Sequence, residues 1–163
     1  MSYHKKLSEK FISPEALQPL LKKWNSEHQK IVFTNGCFDI LHRGHVEYLC
    51  HARDFGDKLI LGLNTDASVK RLGKSPDRPI NSETTRAIIL AALECVDAII
   101  LFDEDTPYEL IKAVQPDVLV KGSDYKAEDI VGYDIVTAKG GSILTVPLIE
   151  GFSTTGLIEK LKS

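Results

Sequence analysis

The sequence predicts an α/β protein: a doubly wound parallel sheet of five strands, with helices on both faces and a helical extension at the N-terminus. Short apolar runs rich in β-branched residues alternate with segments of helical period, which is typical of buried parallel strands joined by right-handed crossovers. The runs are Ile31–Phe33, Lys58–Leu63, Ala98–Phe102, Val118–Val120 and Ile143–Val146. Such sheets bind ligands beyond the carboxyl ends of their strands, so we expect the chemistry directly after each run.

The composition is that of an ordinary globular chain. Its 163 residues are 43% hydrophobic and 26% charged, which excludes disordered, collagen-like and disulfide-rich classes. The net charge of −3 lacks the basic excess of a duplex-nucleic-acid binder, and no apolar run approaches the roughly 18 residues that cross a bilayer. The first residues, Met-Ser-Tyr-His-Lys-Lys, lack an apolar core after their positive charges, so we expect no secretory signal there. Cys37, Cys50 and Cys95 lack paired spacing. We therefore expect a cytoplasmic protein with reduced thiols and neither nucleic-acid nor membrane partners.

Residues 1–29 are predicted to form the helical extension, and residues 30–163 the main domain. Ser13 and Pro14 are suited to the N-cap and first position of a helix. An apolar stripe then recurs at helical spacing, formed by Leu17, Leu20, Leu21 and Trp24. The stripe indicates an amphipathic helix packed on the main domain, although it could equally serve a subunit contact in a homo-oligomer.

Two histidines follow the first run, where a helix is predicted to begin near Arg43 or Gly44. His42 and His45 can donate hydrogen bonds to phosphate, and a helix N-terminus presents free N–H groups to an anion. Gly44 would let a bulky group approach the backbone. Zinc would need further ligands, which no cysteine or histidine cluster supplies. Phosphate binding is favoured over zinc and over purely structural roles for the histidines.

A predicted basic loop follows the second run, which ends at Asn64. Its four cations are Lys70, Arg71, Lys74 and Arg78. We expect Lys70 to neutralise phosphate charge, whereas the sequence does not distinguish the other three. Asn81-Ser82-Glu83 predicts a helix start that puts Arg86 within reach of a phosphate, with a surface salt bridge as the equal alternative.

Two further strand ends carry candidate ligand groups. After the fourth run, Lys121, Gly122 and Asp124 form either one wall of a nucleobase and ribose site or a simple turn. Near the C-terminus, three successive hydroxyl residues open the last predicted helix: Ser153, Thr154 and Thr155. An N-cap accounts for one hydroxyl, so the remaining two indicate a second anion site.

The first strand end carries a specific resemblance. Phe38-Asp39-x-x-His42-x-Gly44-His45 resembles the HxGH signature of the nucleotidyltransferase superfamily, and Ser153-Thr154-Thr155 resembles its second signature, ISSTxxR. Ile158 stands where that signature has arginine, which makes the loop around Lys70 more important. In order along the chain, the matching segments resemble the adenylyltransferase domain of bifunctional heptose kinase/adenylyltransferases in a stand-alone form: TNGCFDILHRGH, LNTDASVKRLGK, RPIN, ALECVDAIILFDEDTP, PDVLVKGSDY and EGFSTTGLI.

The resemblance implies a Rossmann-like fold and an adenylyltransferase. The implied reaction transfers AMP from ATP, accompanied by Mg²⁺, to D-glycero-β-D-manno-heptose 1-phosphate, giving ADP-heptose and pyrophosphate. The ADP-heptose would supply lipopolysaccharide or another surface glycan. We assign catalytic roles to His42, His45 and Lys70, and expect no metal ligands from the protein. Nucleotide binding is expected at Phe38, Asp39, Gly44, Asn64, Arg86, Lys121, Gly122, Asp124, Ser153, Thr154 and Thr155.

Among these residues, Asp39 is expected to brace its loop or a metal-bound water rather than to act as an acid. The alternative activity is a cytidylyltransferase acting on glycerol 3-phosphate or a related alcohol phosphate, because the shared motifs do not separate the two. A nucleotide-binding module without turnover is a third hypothesis, which the paired histidines argue against.

Overall fold

The computed structural model describes residues 2–73 and 75–162, with only the backbone of Lys162. Within them, all strands form one parallel sheet in the order β3-β2-β1-β4-β5. The strands are β1 (Ile31–Gly36), β2 (Lys58–Asn64), β3 (Ala98–Phe102), β4 (Val118–Gly122) and β5 (Ser142–Val146). Each predicted apolar run lies within one of these strands, and the predicted fold class is confirmed.

Helices precede and connect the strands. They are α1 (Tyr3–Ser8), α2 (Pro14–Ser26), α3 (Arg43–Arg53), α4 (Asp66–Arg71), α5 (Glu83–Ala91), α6 (Tyr108–Val114), α7 (Tyr133–Ala138) and α8 (Thr154–Lys162), with a short 3₁₀ turn at Ala127–Asp129. The predicted starts of α2, α3 and α5 are confirmed, with Ser13, His42 and Ser82 as their N-caps. No helix in the described part of the chain is both long and apolar enough to span a bilayer.

Two apolar layers sandwich the sheet, because successive strand residues point to opposite faces. Val32 faces a layer that includes Leu49 of α3 and Leu90 of α5. Phe33, the next residue along β1, faces a layer that includes Ile111 of α6. The strands are therefore buried on both sides, which explains their nearly continuous apolar runs.

The N-terminal extension belongs to this core. Leu17, Leu21 and Trp24 of α2 are buried in the same layer as α6 and α7, so the apolar stripe makes a contact within the chain. The extension also contains α1, which the sequence pattern did not predict. Between the two helices the chain borders the β3 edge: the Ile12 N–H donates to the Ile99 carbonyl at 2.9 Å, and the Ile99 N–H donates to the Lys10 carbonyl at 2.7 Å. Covering an edge strand protects its unpaired backbone groups.

The strand order creates a binding crevice. β1 lies between β2 and β4, so the chain leaves β1 towards one side of the sheet and leaves β4 towards the other. In doubly wound sheets, ligands bind beyond the carboxyl ends of the strands at this reversal. The two loops that follow β1 and β4 carry the motifs singled out above.

Candidate active site

Two adjoining cavities occupy this crevice. The larger has a volume of about 520 Å³ and the smaller about 320 Å³. They share a boundary formed by Asn35, Gly36, Cys37, Lys121 and Tyr125. The larger cavity brings together predicted residues from both halves of the chain: Phe38, His42, Gly44, His45, Lys121, Gly122, Asp124, Ser153, Thr154 and Thr155.

The paired histidines lie at the start of α3. His42 is the N-cap residue, and its Nδ1 accepts a hydrogen bond from the His45 backbone N–H at 3.4 Å. The two imidazole rings stack with centroids 3.7 Å apart. A neutral ring that accepts at Nδ1 carries its proton at Nε2, so His42 retains one N–H donor for a ligand. At Gly44 a Cβ would lie 3.1 Å from the His42 ring and 3.2 Å from Phe152. The glycine therefore also permits this ring packing.

Both histidines are held in the neutral state. Burial lowers the pKa of His42. Burial, followed by the neighbouring His42 and Arg78, lowers the pKa of His45 from 6.5 to about 4, with a partly opposing effect from the Ile40 backbone. The His45 Nδ1 is buried and has no hydrogen-bond partner within the described residues. A buried polar atom without a protein partner is rare and points to a bound ligand or water.

This depressed pKa predicts acid-sensitive stability. Above pH 6.5 His45 is neutral in both folded and unfolded chains, whereas between pH 6.5 and about 4 only the unfolded chain takes up the proton. We expect the free energy of unfolding to fall by up to about 3 kcal/mol across that interval. Urea denaturation at a series of pH values measures this slope.

Two variants isolate the His45 contribution to the acid sensitivity. His45→Gln should flatten the slope, whereas His51→Gln, which replaces an exposed histidine of the same helix, should retain it. Equal slopes in wild type and His45→Gln would contradict the assignment.

The C-terminal hydroxyl residues lie at the start of α8. The Ser153 Oγ accepts a hydrogen bond from the Gly156 N–H at 3.0 Å, so Ser153 caps the helix, while Thr154 and Thr155 form its first two residues. Phe152 connects this region to α3, since its ring centroid lies 6.3 Å from that of His42. Two helix N-termini therefore border the same cavity, a combination suited to an extended polyanion.

Asp39 braces the loop before α5. Its carboxylate is buried and accepts hydrogen bonds from the backbone N–H groups of Ile80 and Asn81, both at 2.9 Å, and from Arg78 Nε at 3.1 Å. Burial by itself would raise the Asp39 pKa, but these donors together hold it below its ordinary value. Within the described part of the chain, Asp39 is not among the residues that line either cavity. It positions Arg78, which does line the larger one.

The basic segment differs from the predicted loop. Lys70 and Arg71 belong to α4, and Arg71 pairs with Asp105 at 2.9 Å. Lys70 is exposed and is not part of either cavity wall in the described structure, so its catalytic role stays a prediction. Lys74 lies outside the described residues. Among the described cations of this segment, the one that lines the larger cavity is Arg78, which the sequence pattern did not distinguish from Arg71.

Arg86 and Asn64 are placed away from the larger cavity. Arg86 is 1% exposed and donates to the Asn81 and Cys37 carbonyls and to the Asp66 carboxylate, the last at 2.8 Å. The guanidinium is thus buried in an ion pair whose carboxylate is partly exposed. It lines neither cavity, because its nitrogens are engaged within the loop that it supports. The Asn64 Nδ2 donates to Ser68 Oγ at 2.9 Å, and Asn64 lines the smaller cavity.

Lys121 lies at the boundary of the two cavities. Its ammonium donates to Asn35 Oδ1 at the end of β1 and lies 6.0 Å from the Tyr125 ring centroid. At Gly122, a Cβ would come within 2.7 Å of Asp124 Oδ1, so a larger residue there would displace the Asp124 side chain. Asn35 and Tyr125 also line both cavities but were not among the predicted site residues. The position of Asn35 at the first strand end was the signal that could have identified it.

Comparisons with known proteins agree with this fold. The cytidylyltransferase-like family matches residues 33–158. The bifunctional protein HldE of Wolinella succinogenes is 50% identical over 161 residues, which cover 99% of this chain and 33% of that protein. HldE of Rhodopseudomonas palustris strain BisB5 is 54% identical over 155 residues, covering 94% and 31%. This chain therefore spans about a third of the length of these curated relatives.

Solved structures show the same architecture. A lipopolysaccharide core biosynthesis protein from Thermoplasma volcanium GSS1 is 27% identical, covers 74% of this chain and 97% of its own, and has a TM-score of 0.59. Pantoate-beta-alanine ligase from Francisella tularensis shares the fold alone, with 16% identity, coverage of 93% and 76%, and a TM-score of 0.57. Fold and comparisons together define a nucleotidyltransferase. The chain belongs to the cytidylyltransferase-like family.

Proposed function

We propose that the protein transfers AMP from ATP to D-glycero-β-D-manno-heptose 1-phosphate, giving ADP-heptose and pyrophosphate in the cytoplasm. The single observation that carries the proposal is the larger cavity, bordered by the N-termini of α3 and α8 and by two stacked, neutral imidazoles. The similarity to HldE proteins over nearly the whole chain supports adenylyl transfer within this family.

The triphosphate is proposed to bind between the two helix N-termini. His42 and His45 donate to the α- and β-phosphates, while Ser153, Thr154 and Thr155 hold the β- and γ-phosphates. Arg78 contributes a fixed positive charge on the same wall, held in place by Asp39. Preorganised donors suit this task because they stabilise developing negative charge without reorganising during the reaction.

No general base is required for the reaction. The acceptor phosphate is already an anion near neutral pH, so its oxygen attacks the α-phosphorus directly while pyrophosphate leaves in line. The barrier is mostly electrostatic, since two anions must approach each other. Preorganised donors lower that barrier, because they are aligned before charge shifts to the leaving group.

Mg²⁺ is proposed to enter with ATP. Among the described residues, no group of three or more His, Cys, Asp or Glu side chains could hold a metal ion, and a donor set this poor in carboxylates fits an ion coordinated mainly by phosphates. When bound, the ion would neutralise phosphate charge. Asp124 is the carboxylate in the cavity wall that could approach it.

Pyrophosphate release tests the proposed activity. We expect the purified protein with Mg²⁺ to release pyrophosphate from ATP in the presence of heptose 1-phosphate, with kcat/KM at least about tenfold above that for CTP. Glycerol 3-phosphate paired with each nucleotide is the control panel. Preferential turnover of CTP with glycerol 3-phosphate would overturn the proposal in favour of the cytidylyltransferase. ATP binding without product after long incubation would instead indicate a nucleotide-binding module.

A further inference from the structure

Lys121 is a half-buried cation at the centre of the crevice. It lies on β4, which pairs with β1 at the reversal of strand order, and it lines both cavities. No carboxylate in the described part of the chain lies within 4.0 Å of its ammonium. The partner is the neutral amide oxygen of Asn35. A cation confined in this way is costly in the free protein and is stabilised when an anion binds beside it.

The electrostatics of Lys121 agree with this description. Burial lowers its pKa from 10.5 to about 8, and Asp124 and Cys37 only partly oppose that effect. An anionic ligand in contact with the ammonium would raise the pKa again, because it favours the charged form. Binding of such a ligand must then be accompanied by proton uptake near pH 8.

The smaller cavity has the chemistry of a sugar site. Its wall includes amide, hydroxyl and carboxylate groups that can bind hydroxyl groups of a ligand. Lys121 is the single basic residue within the described lining. The residues that carry the amide, hydroxyl and carboxylate groups include Asn35, Asn64, Asp105, Thr106, Tyr125 and Asp129. A ligand with one anionic end at Lys121 and an uncharged, hydroxyl-rich remainder matches this distribution. The volume of about 320 Å³ is at the lower end for small-molecule sites.

We propose that Lys121 binds the phosphate of the acceptor, whose sugar occupies the smaller cavity, and presents it to the nucleotide in the larger one. The inference rests on the proposed function and replaces the nucleobase and ribose role predicted for Lys121. One acceptor phosphate oxygen forms the new bond to the α-phosphorus as the bond to pyrophosphate breaks. Lys121 keeps its proton throughout, and the electron pair of the broken bond leaves with pyrophosphate.

Kinetic constants separate the acceptor role from the nucleobase role. Lys121→Gln should raise the KM for the sugar 1-phosphate by about 10- to 100-fold and leave the KM for ATP within about twofold, because only the acceptor loses a charge-assisted contact. Lys126→Gln, which replaces an exposed lysine nearby, is the matched control. A rise in the KM for ATP with the acceptor KM unchanged would overturn the inference.

Proton uptake provides a test that does not depend on turnover. Titration calorimetry of heptose 1-phosphate, in buffers of different ionisation enthalpy, should give about 0.5 more protons bound by wild type than by Lys121→Gln at pH 8. At pH 7 the difference should be about 0.1, as a pKa near 8 requires. Equal uptake by both proteins, or no binding to wild type at millimolar concentration, overturns the inference.

Failure of the proposed function gives a different pattern. If glycerol 3-phosphate and CTP prove to be the substrates, the same two measurements with glycerol 3-phosphate still test Lys121. A Lys121-dependent proton uptake with that ligand would support the acceptor role while the heptose assignment fails.

Discussion

Replacing His45 with alanine is expected to lower kcat for pyrophosphate release by roughly 10²–10³ while the protein stays folded. His45 stacks on His42 beneath the larger cavity, and its Nδ1 has no hydrogen-bond partner in the described residues. Removing the ring costs no internal hydrogen bond at that nitrogen but deletes the donor that we propose for the phosphates. Steady-state kinetics with saturating ATP and acceptor measure the loss.

His42→Ala should lose a similar factor, but it also removes an N-cap. The lost cap costs about 1 kcal/mol of stability, so the alanine variant mixes two effects. His42→Asn separates them, because asparagine can still accept from the His45 N–H while its amide cannot reproduce the imidazole Nε2 donor. We expect His42→Asn to unfold like wild type and to turn over as slowly as His42→Ala.

Control and contrary outcomes for the histidines are well defined. His51→Ala changes an exposed position of α3 and should keep wild-type activity. Near-normal kcat in both His42→Asn and His45→Ala would show that the imidazoles pack the helix start without contributing to phosphoryl transfer.

Asp39→Asn is expected to lower the free energy of unfolding by about 3–5 kcal/mol. The change leaves the Arg78 guanidinium, whose side chain is 8% exposed, without its counter-charge. It also replaces an acceptor of two backbone N–H groups with an amide, one end of which repels a donor. Urea unfolding monitored by circular dichroism measures the loss, with the exposed Asp54→Asn as control.

A second substitution tests the cause of that loss. If the unpaired Arg78 charge causes most of the loss, the double variant Asp39→Asn/Arg78→Gln should lose less unfolding free energy than the two single variants added together. We expect the difference to be about 1–3 kcal/mol. A loss below about 1 kcal/mol in Asp39→Asn, as for an exposed pair, would contradict the bracing role. Activity should fall in Asp39→Asn, because Arg78 would no longer be held at the cavity, and in Arg78→Gln, because the positive charge would be lost.

Local pattern was sufficient for the strands, for several helix starts and for part of the site, although it missed α1 and α4. Buried parallel strands can be recognised in the sequence as apolar runs. The helix caps at Ser13 and Ser82 depend on residues only three positions apart. His42, His45 and the Ser153–Thr155 hydroxyls followed from the rule that chemistry lies at strand ends and helix starts. Those features are encoded within a few neighbouring residues.

The roles of the charged residues depended on distant partners instead. Asp39 and Arg78 are 39 positions apart, and Arg86 meets Cys37 across 49; no periodicity relates such pairs. The sequence by itself therefore determined the strands, several of the helices and the motifs that we propose for phosphate binding. Only the tertiary structure decided that Arg78 reaches the cavity, that the Arg86 side chain is buried beside Asp66 and that Lys121 lies between two cavities. The physical reason is that the function of a charged group depends on the groups that the fold brings within a few ångströms of it.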